Sequence, residues 1–130
     1  MRRSLNRVAA LRRTLHRHAE LLLGMAQQKL VVAEEARDGL GELLVEQAAT
    51  GALPLSVLEL AQLATGAADR SVSELRRERE RCADEERRRA LDRRQMERLV
   101  ERADSEARAA ENRRAQKLLD DWTVARRSRR

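Results

Sequence analysis

The feature that most constrains this chain is one stop-and-start signal near its middle, the stretch "TGALPLSVLE" at residues 50–59. Gly51 follows a long helical pattern and can adopt the left-handed conformation that ends helices. Pro54 cannot continue that helix but suits the first turn of a new one, and Ser56 with Glu59 matches a capping box. Because the two signals are so close together, the sequence predicts a tight turn between two helices.

Residues 2–50 carry apolar side chains at helical spacing. Three adjacent series at seven-residue intervals form a face of the kind that a helix buries against a partner. The series are Val8, Leu15, Leu22, Lys29, Ala36 and Leu43; Leu5, Arg12, Ala19, Ala26, Ala33 and Leu40; and Leu11, His18, Met25 and Val32. Their polar members are of the kind that sets the register of a coiled coil.

The second half continues as one long helix. Its predicted seam contains Leu58, Ala61, Ala68, Val72, Leu75, Cys82, Met96, Leu99, Val100, Ala103, Ala107 and Ala110, and Gly66 is expected to soften or kink it. Residues 76–94 are nearly all charged. Their acid–base spacings of three and four residues predict a solvated face beside a thin seam.

Composition agrees with this plan. The 130 residues are 38% charged and include one Trp but no Phe or Tyr, which suits long helices better than a globular core. The predicted fold is therefore all-α, with two long helices in an antiparallel coiled-coil hairpin. We expect a single unit over residues 1–130, with helix 1 at about 2–50, a turn at about 51–54 and helix 2 at about 55–126.

The two helices differ in length, so the second should overhang. A first helix of about 49 residues spans roughly 74 Å, and antiparallel pairing then uses the second helix up to about residue 104. The remaining overhang contains "AENRRAQKLLDDW" at residues 110–122. Isolated helices of this length are marginal in water, so its apolar side chains predict a binding partner; fraying, or pairing with a second copy, are the alternatives.

Charge is distributed unevenly along the chain. Residues 2–17 hold six Arg and no acid, residues 108–130 have a net charge of +5, and residues 30–75 have a net charge of −6. A hairpin would place the two basic segments at one end and the acidic segment at the turn. Ends of opposite sign suit two different partners.

Several functional classes find no support in the residues. His16 and His18 point about 200° apart on a helix, glycines are scattered singly, and no catalytic constellation is present, so we expect no enzyme, metal site or cofactor.

Cys82 is a lone cysteine, which fits a reducing cytoplasm. No apolar run could cross a membrane. The start "MRRSLNRVAALRR" lacks the apolar segment of a secretory signal, and its likeness to a transit peptide is superficial because the same apolar phase continues beyond it.

The segment at residues 110–122 resembles the FliJ family of the bacterial flagellar export apparatus. The family segment has the form A-E-N-R, two variable residues, Q-K, then an acidic residue and an aromatic before a basic C-terminus. The matching positions are Ala110, Glu111, Asn112, Arg113, Gln116, Lys117, Asp121 and Trp122. The similarity covers about 13 residues, and the turn-proximal half lacks the aromatics of other members.

The resemblance implies a non-enzymatic, stalk-like coiled coil of flagellar type III protein export. Such a protein inserts into a hexameric export ATPase (FliI-like), promotes ring assembly and activity, couples the ring to a membrane export gate (FlhA-like) and escorts export chaperones. It would be cytoplasmic and peripheral at the inner membrane. The implied ring contacts are Arg2, Arg3, Leu5, Arg7, Arg113, Arg114, Gln116, Lys117, Leu118 and Trp122, and the implied gate contacts are Val57, Ala61 and Ala64.

Two alternatives stay open. The first is the equivalent stalk of a virulence type III secretion system, which the residues hardly distinguish from the flagellar one. The second is a basic coiled-coil scaffold or nucleic-acid-associated protein, suggested by a pI of about 11.0 and the tail "RRSRR". We expect nucleic acid not to be the main partner, because no aromatics are interleaved for base stacking and 22 acidic residues share the chain.

Overall fold

The protein consists of two long helices, seen in a computed structural model that describes residues 2–51 and 54–129. Helix α1 spans Arg2–Ala49 and helix α2 spans Leu55–Ser128. The two helices pack against each other, α2 is the longer, and the described residues contain no strand. The predicted all-α hairpin with a longer second helix is confirmed.

The turn ends α1 as its glycine predicts. Gly51 has a φ of +66°, and its N–H donates to the carbonyl of Ala48 at 3.2 Å, the geometry of one half of a Schellman cap. The Thr50 hydroxyl donates to the carbonyl of Gln47 at 2.7 Å. One orphan carbonyl at the end of α1 is thus satisfied by backbone and another by a side chain.

The start of α2 differs from the predicted capping box. The carbonyl of Pro54 accepts the N–H of Leu58 at 3.2 Å, so Pro54 stands at the N-cap position and Leu55 is the first helical residue. Ser56 therefore lies inside the first turn rather than before it, and its hydroxyl cannot serve as the N-cap. The proline carbonyl begins the helix instead.

The chain divides into two compact units by contact density. Unit 1 comprises residues 1–14 and 91–130, and unit 2 comprises residues 15–90. In unit 1, Arg2 pairs with Asp104 at 2.8 Å and Arg12 with Asp92 at 3.0 Å. In unit 2, Lys29 and Glu78 approach to 3.7 Å, and Glu34 and Arg76 to 3.4 Å. In both units a higher number on α1 meets a lower number on α2, so the helices run antiparallel.

The seam is narrow and built largely from small side chains. The buried apolar residues are Ala9 in unit 1 and Ala19, Ala26, Leu30 and Val72 in unit 2, with Val72 the most enclosed at 1% exposure. Two helices alone cannot surround a side chain, so only positions directly between them lose contact with water. Helix α2 runs unbroken through Gly66.

The register of α1 differs in part from the predicted one. The series that starts at Leu5 lies on the seam, with Ala19 and Ala26 fully buried. Its companion on the seam is Ala9, His16, Leu23, Leu30, Arg37 and Leu44. The series that starts at Val8 only flanks the seam, and the series that starts at Leu11 faces solvent, with Leu11 57% and Val32 55% exposed. The expectation of a buried third series was wrong.

The charged part of α2 is stabilised by pairs along the helix. Arg87 pairs with Asp84, and Glu85 accepts hydrogen bonds from both Arg88 and Arg89. The hydrogen bond from Arg88 and the positive charge of both guanidinium groups lower the pKa of Glu85. Pairs of this kind, three or four residues apart on one helix and accessible to water, stabilise the helix only modestly.

Candidate functional site

The first candidate site is the part of α2 that extends past α1 in unit 1. Arg2, the first residue of α1, pairs with Asp104, whereas α2 continues to Ser128. We call residues 105–128 the C-terminal segment; it is about 36 Å long at 1.5 Å per residue. From Glu111 to Arg129 every side chain is exposed.

The apolar side chains of the C-terminal segment share one face. At 100° per residue, Leu118 and Leu119 lie within about 60° of Trp122, whereas Val124 lies on the opposite side. Leu118 is 69% exposed, Leu119 59% and Trp122 61%. Three large apolar side chains next to one another in water mark an interaction surface more often than scattered ones do.

Cations and amides accompany this face. The guanidinium of Arg126 lies over the indole of Trp122 at 5.3 Å from the ring centroid, a cation–π contact one helical turn apart. Gln116 donates to Asp120 at 3.0 Å. The spacing of four residues between Trp122 and Arg126 is visible in the sequence. The family resemblance includes Trp122 but not Arg126, so the pair was not predicted.

The predicted ring-contact residues all lie in unit 1 but differ in environment. Arg113, Arg114, Lys117, Leu118 and Trp122 are exposed on the C-terminal segment. At the start of α1, Arg2 forms an ion pair with Asp104. Arg3 and Arg7 are exposed, and Leu5 is half-buried on the seam. Asp104 was missed, since nothing in the sequence identifies a partner 102 residues away.

The second candidate site is an apolar groove between α1 and α2 in unit 2, close to the turn. It is lined by Leu44, Val45, Ala48, Leu58, Ala61, Gln62, Thr65, Gly66 and Asp69. Of the three predicted gate-contact residues, Ala61 lines the groove. Val57 and Ala64 are exposed on α2 outside it.

Further large apolar side chains near the turn are exposed to water. On α2, Leu55, Leu60 and Leu63 are 65–79% exposed, and on α1, Val45 is 71% exposed. Such a concentration at the turn-proximal part of unit 2 suits a second partner. It is also the part of the chain with the acidic balance, which distinguishes it from the C-terminal segment.

A third feature is a cluster of titratable groups inside unit 2. His16 is buried, and its Nε2 lies 2.9 Å from an oxygen of Glu86 and 3.1 Å from an oxygen of Glu20. His18, the other half of the His-x-His pair in the sequence, is exposed and is not part of this cluster. The spacing of four residues between His16 and Glu20 was visible, but the contact with Glu86 depends on the pairing of the helices.

Comparison of the chain with protein-family models, with curated proteins and with solved structures finds no match. The resemblance to the FliJ family therefore stays a prediction that rests on residues 110–122. Across residues 2–51 and 54–129, neither helix has a stretch long and apolar enough to cross a membrane.

Proposed function

We propose that this protein is a non-enzymatic stalk component of a bacterial flagellar type III export apparatus, whose C-terminal segment inserts into a hexameric export ATPase. The observation that carries the proposal is the exposed apolar face of Leu118, Leu119 and Trp122, which lies on a part of α2 where every side chain from Glu111 to Arg129 is exposed. A helix of this kind gains stability when another protein covers it.

Charge supports the same proposal. Unit 1 contains 17 basic and 8 acidic residues, and one of the basic residues, Arg126, lies directly over the Trp122 ring. Apolar side chains would dock on loops of the ring, while Arg113, Arg114 and Lys117 pair with ring carboxylates. The cations would speed the encounter and fix its orientation, and the apolar face would supply most of the affinity.

The remaining roles extend this proposal to unit 2. The groove lined by Ala61, together with Val57 and Ala64 on α2, would contact the membrane export gate, and the exposed leucines near the turn would receive export chaperones. The protein would then work in the cytoplasm at the inner face of the membrane. The equivalent stalk of a virulence secretion system would use the same two surfaces.

ATP hydrolysis by a purified flagellar export ATPase tests the proposal. We expect the full-length chain to stimulate hydrolysis and a 1–107 truncation to lose that stimulation, because the truncation removes the apolar face. Far-UV circular dichroism of both proteins controls for folding, since the truncated chain should keep the paired part of both helices. Absence of stimulation by a helical full-length chain would contradict the proposal.

The basic C-terminus favours a second candidate function, an association with nucleic acid. Seven Arg and one Lys lie in residues 108–130, and such a segment binds phosphates without sequence preference. DNA binding that weakens steeply with salt, combined with no effect on the ATPase, would favour this function over the first.

A further inference from the structure

We propose that His16, Glu20 and Glu86 form a binding site for a divalent transition-metal ion, with Zn²⁺ as the expected occupant. The site lies within unit 2 and joins the two helices, because His16 and Glu20 belong to α1 and Glu86 belongs to α2. It is separate from the C-terminal segment and from the turn-proximal groove, and it does not depend on the proposed role in export.

The geometry suits a small cation. The Nε2 of His16 and one oxygen of each glutamate all lie within 4.8 Å of one another, and the nitrogen is 2.9 Å from Glu86 and 3.1 Å from Glu20. In a tetrahedral site with metal–ligand bonds of about 2.0 Å, adjacent ligand atoms are about 3.3 Å apart. The two distances from the His16 nitrogen are a few tenths of an ångström shorter than this, so a small outward movement of the two carboxylates from the imidazole would bring them to bonding positions around an ion.

Burial gives the site one fixed side and one open side. The His16 side chain is 10% exposed, Glu86 24% and Glu20 53%. The imidazole is therefore held in place by the seam, and the two carboxylates reach it from the solvent side. Three protein ligands facing water leave a fourth position for a water molecule, the arrangement of open zinc sites.

Electrostatics favours a divalent ion at this position. Two carboxylate oxygens approach the same nitrogen, which can offer at most one proton to the pair. A divalent ion would accept the lone pair of Nε2 and neutralise both carboxylates at once.

The donor set selects the kind of metal. One imidazole nitrogen with two carboxylate oxygens suits Zn²⁺, Ni²⁺ or Cu²⁺, whereas Mg²⁺ and Ca²⁺ prefer sites made only of oxygen. Binding would tie α1 to α2 and raise the stability of unit 2 by mass action, since the unfolded chain does not hold the three groups together.

Isothermal titration of the full-length protein with ZnCl₂ at neutral pH tests the site. The Cys82→Ser variant serves as the parent, so that the thiol cannot contribute. We expect the parent to bind zinc at one saturable site and to melt at a higher temperature in Zn²⁺. In Glu86→Gln we expect binding to be at least about tenfold weaker, since altering even the surroundings of a metal ligand lowers metal affinity by that much. MgCl₂ should give no comparable binding.

Two further variants keep the test decisive. Glu20→Gln changes a half-exposed side chain on the surface of α1, so it should weaken binding without endangering the fold. His18→Gln is the matched control, because His18 is exposed two residues away and should bind zinc no differently from the parent. Zinc binding that is equal in the parent, Glu86→Gln and Glu20→Gln, or no saturable binding by the parent, would overturn the proposal.

Discussion

Trp122 is the residue on which the proposed partner contact depends most. Its indole is 61% exposed, with the Arg126 guanidinium over one side of the ring. Indole rings are enriched among residues that dominate binding energy at interfaces, and the adjacent Leu118 and Leu119 would surround it in a complex. The residue adds little to the folded monomer, because it contacts mainly its own helix and water.

We predict that Trp122→Ala weakens binding to the export ATPase by about 30-fold or more, because truncating an aromatic that dominates an interface costs about 2 kcal/mol or more. Helix content should stay unchanged, since surface substitutions shift stability by about 0.5 kcal/mol or less. Val124→Ala is the matched control, as Val124 is equally exposed on the opposite face. Binding and ATPase stimulation measured side by side check the prediction; equal activity of the two variants would contradict it.

The sequence alone could not predict which single residues meet between the two helices. His16 and His18 look alike in the sequence, yet only His16 is buried. Which of the two reaches Glu86 depends on how α2 is aligned against α1, and that alignment is set by contacts between residues about 70 positions apart. Glu20 was within reach of sequence reasoning because the helix itself brings residues four apart together.

At the scale of elements, the end of α1 depends on the backbone of Gly51. A φ of +66° lies in the left-handed region, which residues with a Cβ adopt only at a cost. Gly24 lies in the middle of α1, where a Cβ would meet nothing within 4 Å. One glycine is therefore required by its conformation, while the other only adds flexibility to a helix.

Opposite effects on stability are expected from alanine at these two glycines. Gly51→Ala should lower the free energy of unfolding by about 1–2 kcal/mol, because alanine is strained at that φ. Gly24→Ala should raise it by about 0.5–1 kcal/mol, because alanine is the better helix former. Urea unfolding followed by circular dichroism measures both, and a shift of the same sign in the two variants would contradict the assignment of the turn.

At this scale the helix ends could be predicted from the sequence, whereas the residues that form the seam could not. The stop at Gly51 and the new start near Pro54 are local effects, so the sequence located them. The seam is not local: Val8 and Leu15 are more apolar than Ala9 and His16, yet Ala9 and His16 are the buried residues. Small alanines let two helices approach closely, and the larger side chains then fit beside the contact rather than in it.

For the molecule as a whole, charge differs between the units. Unit 1 has 17 basic and 8 acidic residues, and unit 2 has 11 basic and 14 acidic residues. Each unit also exposes its own group of large apolar side chains. A chain with two surfaces of different charge can recognise two partners without competition between them.

Salt should therefore affect the two predicted interactions differently. Binding of the export ATPase, attributed here to basic unit 1, should weaken as the salt concentration rises from about 0.1 M to 1 M, because the screening length falls from about 10 Å to 3 Å. Binding through the apolar groove of unit 2 should change less over the same range. Titration of each partner at several salt concentrations checks this; a salt-independent affinity for the ATPase would contradict the role of the cations.

The exposed position of Trp122 determines what the ultraviolet absorption and fluorescence of the protein report. With no Phe or Tyr in the chain, nearly all of its near-ultraviolet absorption and emission comes from Trp122. Because that ring lies on the C-terminal segment and not in the seam, its fluorescence spectrum should barely change when the paired helices melt. It should shift to shorter wavelength when another protein takes the ring out of water, so the molecule carries an intrinsic optical reporter of its own docking.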